Sequence, residues 1–149
     1  MDRDRLIESI INNEGFRVRP YLDSLGVETV GIGFNVKYLN FERYGLNKDN
    51  LYIPYRKALE ILNDKVDDLI VVYENLPWFI ELPGEIKEVL IEMAYNLGII
   101  KLYGFKKMMK YIKKGDWNKA ADEMLDSKWA KQVGKRAVKL SEIVRNCKE

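Results

Sequence analysis

Glu14, Asp23 and Thr29 are the residues of this chain whose types and spacing could do chemistry together. They lie in the run E-G-F-R-V-R-P-Y-L-D-S-L-G-V-E-T-V-G-I-G, from Glu14 to Gly33. A carboxylate where a helix stops, a second beside a turn nine residues later and a hydroxyl on the returning strand can share one cleft wall. That set suits cleavage of a glycosidic bond, with a protonated acid for the leaving oxygen and an ionised carboxylate on the opposite face. A threonine beside the second carboxylate can hold an attacking water, since a hydroxyl both donates and accepts. Gly31 and Gly33 put no side chain on the strand, a pattern that often marks close approach by a ligand or another backbone. Spacing alone does not separate this reading from two solvated surface charges and ordinary turn glycines, which most such patterns are.

Composition narrows the chemistry. The chain has 149 residues, no histidine and one cysteine, Cys147. Histidine-dependent triads, H-E-x-x-H zinc sites and internal disulfides are therefore excluded. No metal and no cofactor is expected, and acid–base work falls to carboxylates, with Lys or Tyr as remote alternatives. Charge is uneven. Residues 1–100 carry 11 Lys/Arg against 17 Asp/Glu, a balance of −6, whereas residues 101–149 carry 14 against 6, a balance of +8. A basic C-terminal third fits an anionic partner such as nucleic acid, a membrane surface or a cell-wall polymer, and equally fits solvated lysine faces. The opening Met-Asp-Arg-Asp-Arg leads into a mixed helix rather than an apolar leader, so the expectation is folding in the cytoplasm.

The elements that must position these groups follow from periodicity. Leu6, Ile7, Ile10 and Ile11 predict a helix over ~3–13 that Gly15 stops. Val18, Tyr21, Thr29, Val30, Ile32 and Phe34 around Ser24-Leu25-Gly26 predict a β-hairpin over ~17–34, with Thr29 across from Asp23. Pro54 suits the first turn of a long helix, ~55–75, striped by Leu59, Leu62, Val66, Leu69 and Ile70. Pro77 and Pro83 bracket a break, and helices are predicted at ~84–97, ~105–114, ~117–126 and ~136–146. Trp117, Trp129, Met108, Met109 and Met124 read as core, Cys147 as an incidental thiol, and Tyr95 as open between core and cleft.

The order of residues decides what spacing could not. Glu14-Gly15, Tyr21-x-Asp23 and Gly26-x-x-Thr29-x-Gly31-x-Gly33 resemble the phage-type lysozymes, glycoside hydrolase family 24. The likeness continues through Asn96-Leu97-Gly98, Gly104-Phe105 and Gly115-Asp116-Trp117-x-x-Ala120-Ala121. It ends with Ser127-Lys128-Trp129, Gln132 and Arg136-Ala137. The resemblance implies Glu14 as general acid, Asp23 as second catalytic carboxylate and Thr29 as the hydroxyl beside the nucleophilic water. It further implies Tyr95, Asn96, Leu97 and Lys128 at the substrate, Arg136 as charge partner of Glu14, and Gly31 and Gly33 as supporting positions. Two positions depart from the family pattern: Phe34 stands where a histidine is frequent, and Gly134 where a proline is usual.

The expectation is thus a mostly helical α+β, lysozyme-like chain forming a single domain over 1–149. It would have a small lobe over about 14–54 with a β-hairpin, a connecting helix at about 55–75, and an all-helical lobe over about 76–149 on which residues 1–13 pack. The implied activity is hydrolysis of the β-1,4 bond between N-acetylmuramic acid and N-acetylglucosamine in peptidoglycan. A monomer accumulating in the host cytoplasm and reaching the wall once a holin opens the membrane is expected, with no nucleic-acid partner. A lytic transglycosylase, which needs one acid, and a non-catalytic wall-binding module are the alternatives; neither requires Glu14, Asp23 and Thr29 together.

Overall fold

The computed structural model describes residues 1–148 and is mostly helical, with one small antiparallel sheet near the N-terminus. Its Cα positions divide into two compact units, Asp4–Asp68 and Leu69–Glu149 with Met1–Arg3. The division falls between Arg3 and Asp4, so most of the first helix groups with the N-terminal unit.

In that unit, α1 (Arg3–Glu14) buries Leu6 and Ile10. It ends because Gly15 turns left-handed at φ 74° while its N–H still reaches the Ile11 carbonyl at 2.8 Å. The expected hairpin is a three-stranded sheet of β1 (Arg17–Leu22), β2 (Glu28–Gly31) and β3 (Phe34–Asn35), in the order β1-β2-β3. Val30, Ile32 and Phe34 are fully buried. β1 is irregular: Arg17 pairs with Gly31 but Tyr21 pairs with Thr29, so β1 carries extra residues around Pro20. Proline has no N–H to give a ladder, which makes a bulged strand its natural place. The chain then runs through a short 3₁₀ turn (Val36–Tyr38) to an irregular stretch fixed on α2 (Tyr55–Glu74). Tyr44 donates to Asp64 at 2.7 Å, and burial together with that bond pushes the Tyr44 phenol up to about 12.

The C-terminal unit is built around α4 (Gly84–Leu97). Ile86 and every residue from Glu88 to Ala94 are buried on it, the pattern of a helix surrounded by others. The chain start reaches it directly, since the Asp2 amide donates to Glu88 at 3.1 Å. α9 (Lys135–Arg145) packs on α4 and on α7 (Trp117–Leu125), which in turn packs on α6 (Lys106–Lys114). Met108, Met109, Met124 and Trp129 are buried as expected, while Trp117 is only half-buried. Three short helices went unpredicted: α3 (Pro77–Ile80), which begins on Pro77, α5 (Ile99–Tyr103) and α8 (Lys128–Val133). The α8–α9 junction is the single residue Gly134 at φ 57° and ψ −112°. A proline ring, locked near φ −65°, could not adopt it.

Candidate active site

Glu14 is the last residue of α1, and its carboxyl group is brought against the β2–β3 turn. A Cβ placed on Gly33 would lie 2.8 Å from Glu14 Oε1 and 2.9 Å from its Cδ. Gly33 thus serves two needs at once, a left-handed φ of 71° and room for the carboxyl group above its backbone. Gly31 does the same for a hydrocarbon: its missing Cβ would meet the Phe34 ring at 2.5 Å. Phe34, where the resembling family often has histidine, is buried at that point, with the Lys65 ammonium 5.7 Å over its ring. Burial among apolar groups holds the Lys65 pKa below its ordinary value, against an opposing pull from Asp68.

Asp23 organises the β1–β2 turn. Its Oδ1 accepts from the amides of Leu25 and Val27, both at 2.9 Å, and its own amide donates to the Val27 carbonyl at 3.0 Å. This Asx arrangement explains why Thr29 does not lie opposite Asp23, as the sequence suggested. The turn consumes Asp23 as its first corner, and Thr29 pairs with Tyr21 instead. The link between them survives by another route. The buried Thr29 hydroxyl donates to the same Val27 carbonyl at 2.9 Å. With its proton committed there, Thr29 Oγ1 presents lone pairs, and Asp23 Oδ2 accepts no hydrogen bond among the described residues. Each is an acceptor able to take a proton of a water.

Tyr21 ties the two carboxylates into one electrostatic neighbourhood, a role that its reading as a strand former missed. Burial raises its phenol pKa above 10, the negative charges of Glu14 and Asp23 raise it further, and Arg17 opposes them. The Arg17 guanidinium lies 4.6 Å over the Tyr21 ring. The available signal was the Y-x-D spacing, since residues two apart on a strand project to one face.

The remaining expected residues lie in the C-terminal unit. Tyr95, Asn96 and Leu97 end α4; Tyr95 is half-buried, and Asn96 Oδ1 accepts the Trp129 indole N–H at 2.9 Å, tying α8 to α4. Leu97 and Lys128 line a cavity of about 680 Å³ together with Lys101, Phe105, Ser127 and Gln132. Arg136 is buried on α9. Among the described residues no cluster of three or more His, Cys, Asp or Glu could hold a metal ion.

Residues 11–147 match the family model described as phage lysozyme. The chain belongs to the phage lysozyme family. Among curated proteins it is similar to Probable T4-type lysozyme 1 of Dictyostelium discoideum, at 24% identity over 89% of this chain and 88% of that protein. Family membership supports a muramidase-like glycosidase.

Proposed function

We propose that this chain hydrolyses the β-1,4 bond between N-acetylmuramic acid and N-acetylglucosamine in peptidoglycan, with inversion at the sugar carbon. Glu14 gives its proton to the glycosidic oxygen as that bond breaks. A water held by Asp23 Oδ2 and Thr29 Oγ1 attacks from the opposite face, and its proton passes to Asp23. The observation that carries the reading is the Asp23–Val27–Thr29 arrangement, in which the Asp23 amide and the Thr29 hydroxyl both donate to the Val27 carbonyl. Arg136 is the proposed charge partner of Glu14; a guanidinium as buried as this one requires compensation. Tyr95, Asn96, Leu97 and Lys128 are proposed to contact the saccharide. In the cell the protein would act as a monomeric lytic enzyme, made in the host cytoplasm and released to the wall by a holin.

The test is turbidity loss on purified peptidoglycan with mass spectrometry of the fragments. Hydrolysis gives free reducing ends. Anhydro-sugar ends would point to a lytic transglycosylase, and binding without clearing would reduce the chain to a wall-binding module.

A further inference from the structure

A second concavity, of about 600 Å³, opens in the C-terminal unit away from the expected substrate residues Leu97 and Lys128. Its apolar lining comes from Val72 of α2, Leu76, Trp78 of α3, and Ile99 and Tyr103 of α5. Its rim is cationic, formed by Lys106, Lys110, Lys113 and Lys114 of α6. No carboxylate or amide side chain lines it. We propose that this face docks on an anionic lipid bilayer, with aliphatic and aromatic side chains entering the headgroup boundary and the lysines held over lipid phosphates.

Three observations fit a lipid surface. Large side chains of α5 stand out into solvent: Tyr103, which lines the groove, is 76% exposed, and Ile100 on the same helix is 88% exposed. The side-chain polar groups of the lining are lysine ammonium and tyrosine hydroxyl groups, with no carboxylate to repel a phosphate. Met108, Met109 and Ile112 of α6 are buried in the core, so its lysines form the outward face of the helix and border the groove. An amphipathic surface with lysines beside aromatic and aliphatic residues is the composition of an interfacial membrane contact. Lys113 is also 5.0 Å over the Trp78 ring, so one cation is already held beside the apolar lining. Among the described residues no helix is long and apolar enough to cross a membrane, so the contact is peripheral.

The test is flotation of the full chain with vesicles of 30% phosphatidylglycerol in phosphatidylcholine, against pure phosphatidylcholine, at about 0.1 M and 0.5 M salt. Binding to the anionic vesicles alone, weakened at high salt, is expected. Each lysine at such a surface contributes about fivefold, so Lys110→Glu/Lys113→Glu should lower partition by at least about 25-fold. Ile100→Ser/Tyr103→Ser should lower it by about tenfold or more. A brominated lipid should quench Trp78 in the parent protein, and Trp78→Phe should remove most of that quenching. Equal partition of parent and variants, absence of binding to the anionic vesicles, or an unquenched Trp78 would each overturn the proposal. So would single-stranded DNA that binds the same lysines and abolishes no Ile100- or Tyr103-dependent step, which would make this a polyanion site. Clearing of membrane-free peptidoglycan by Ile100→Ser/Tyr103→Ser should equal that of the parent.

Discussion

Gly33 and Glu14 share one small volume, and substitutions at each test different things. Gly33→Ala adds a methyl group 2.8 Å from Glu14 Oε1 at a left-handed φ of 71°. The backbone conformation alone costs about 1–2 kcal/mol, and the displaced carboxyl group should lower activity by more than that stability loss accounts for. Thermal melts set beside turnover check this, and a loss of activity matched by loss of folded protein would refute it. Glu14→Gln keeps the shape but has no acid proton to give, so activity should fall roughly 10²–10⁴-fold with the fold intact. Retained activity would sink the mechanism. The same variant carries a second readout. Tyr21 is held above its ordinary pKa partly by the Glu14 charge, so neutralising Glu14 should lower the Tyr21 value, while burial still keeps it raised. Carbon-13 NMR of the Tyr21 phenol follows this directly, and an unmoved titration would show that the two groups do not share a field.

The irregular segment between β3 and α2 is fixed by local backbone turns together with side-chain bonds, and pH should reveal one of the latter. Tyr44 has a folded pKa of about 12 against an ordinary 10, because it is buried and donates to Asp64. A raised phenol pKa contributes stability that is fully present below about pH 10 and is lost as pH rises through about 12. The stability gap between the parent and Tyr44→Phe should therefore shrink over that window, as measured by urea melts. A gap independent of pH would assign the bond no such role. Elements of this kind were hard to read in advance, whereas α2 and α4 were legible because their apolar stripes run for several turns. The short helices α3, α5 and α8 hold four to six residues each, too few for any period to emerge. The site divides in the same way. Glu14, Asp23 and Thr29 could be picked out as candidates by type and order. The register joining them was not legible, because the turn uses Asp23 as its corner and β1 bulges near Pro20.

For the whole molecule the governing quantity is charge distribution. Residues 101–149 carry 14 Lys/Arg against 6 Asp/Glu, and apart from the buried Arg136 and half-buried Arg145 all of those basic residues are exposed. A net charge of +8 over residues 101–149 creates a field that draws an anionic polymer toward the enzyme and raises its local concentration. The field is screened over about 8 Å at 0.15 M salt and about 3 Å at 1 M. Clearing of purified wall should therefore weaken steadily as salt rises past about 0.15 M. A short neutral oligosaccharide offers the field no charge to pull on, and its cleavage depends on the acid, the water and the contacts at the reacting bond. Its hydrolysis should change far less over the same range. The comparison is made on membrane-free peptidoglycan, so that any attraction of the Lys110–Lys114 face to lipid plays no part. Parallel loss of both activities would place the salt effect on the catalytic groups themselves and remove the basic third from wall capture.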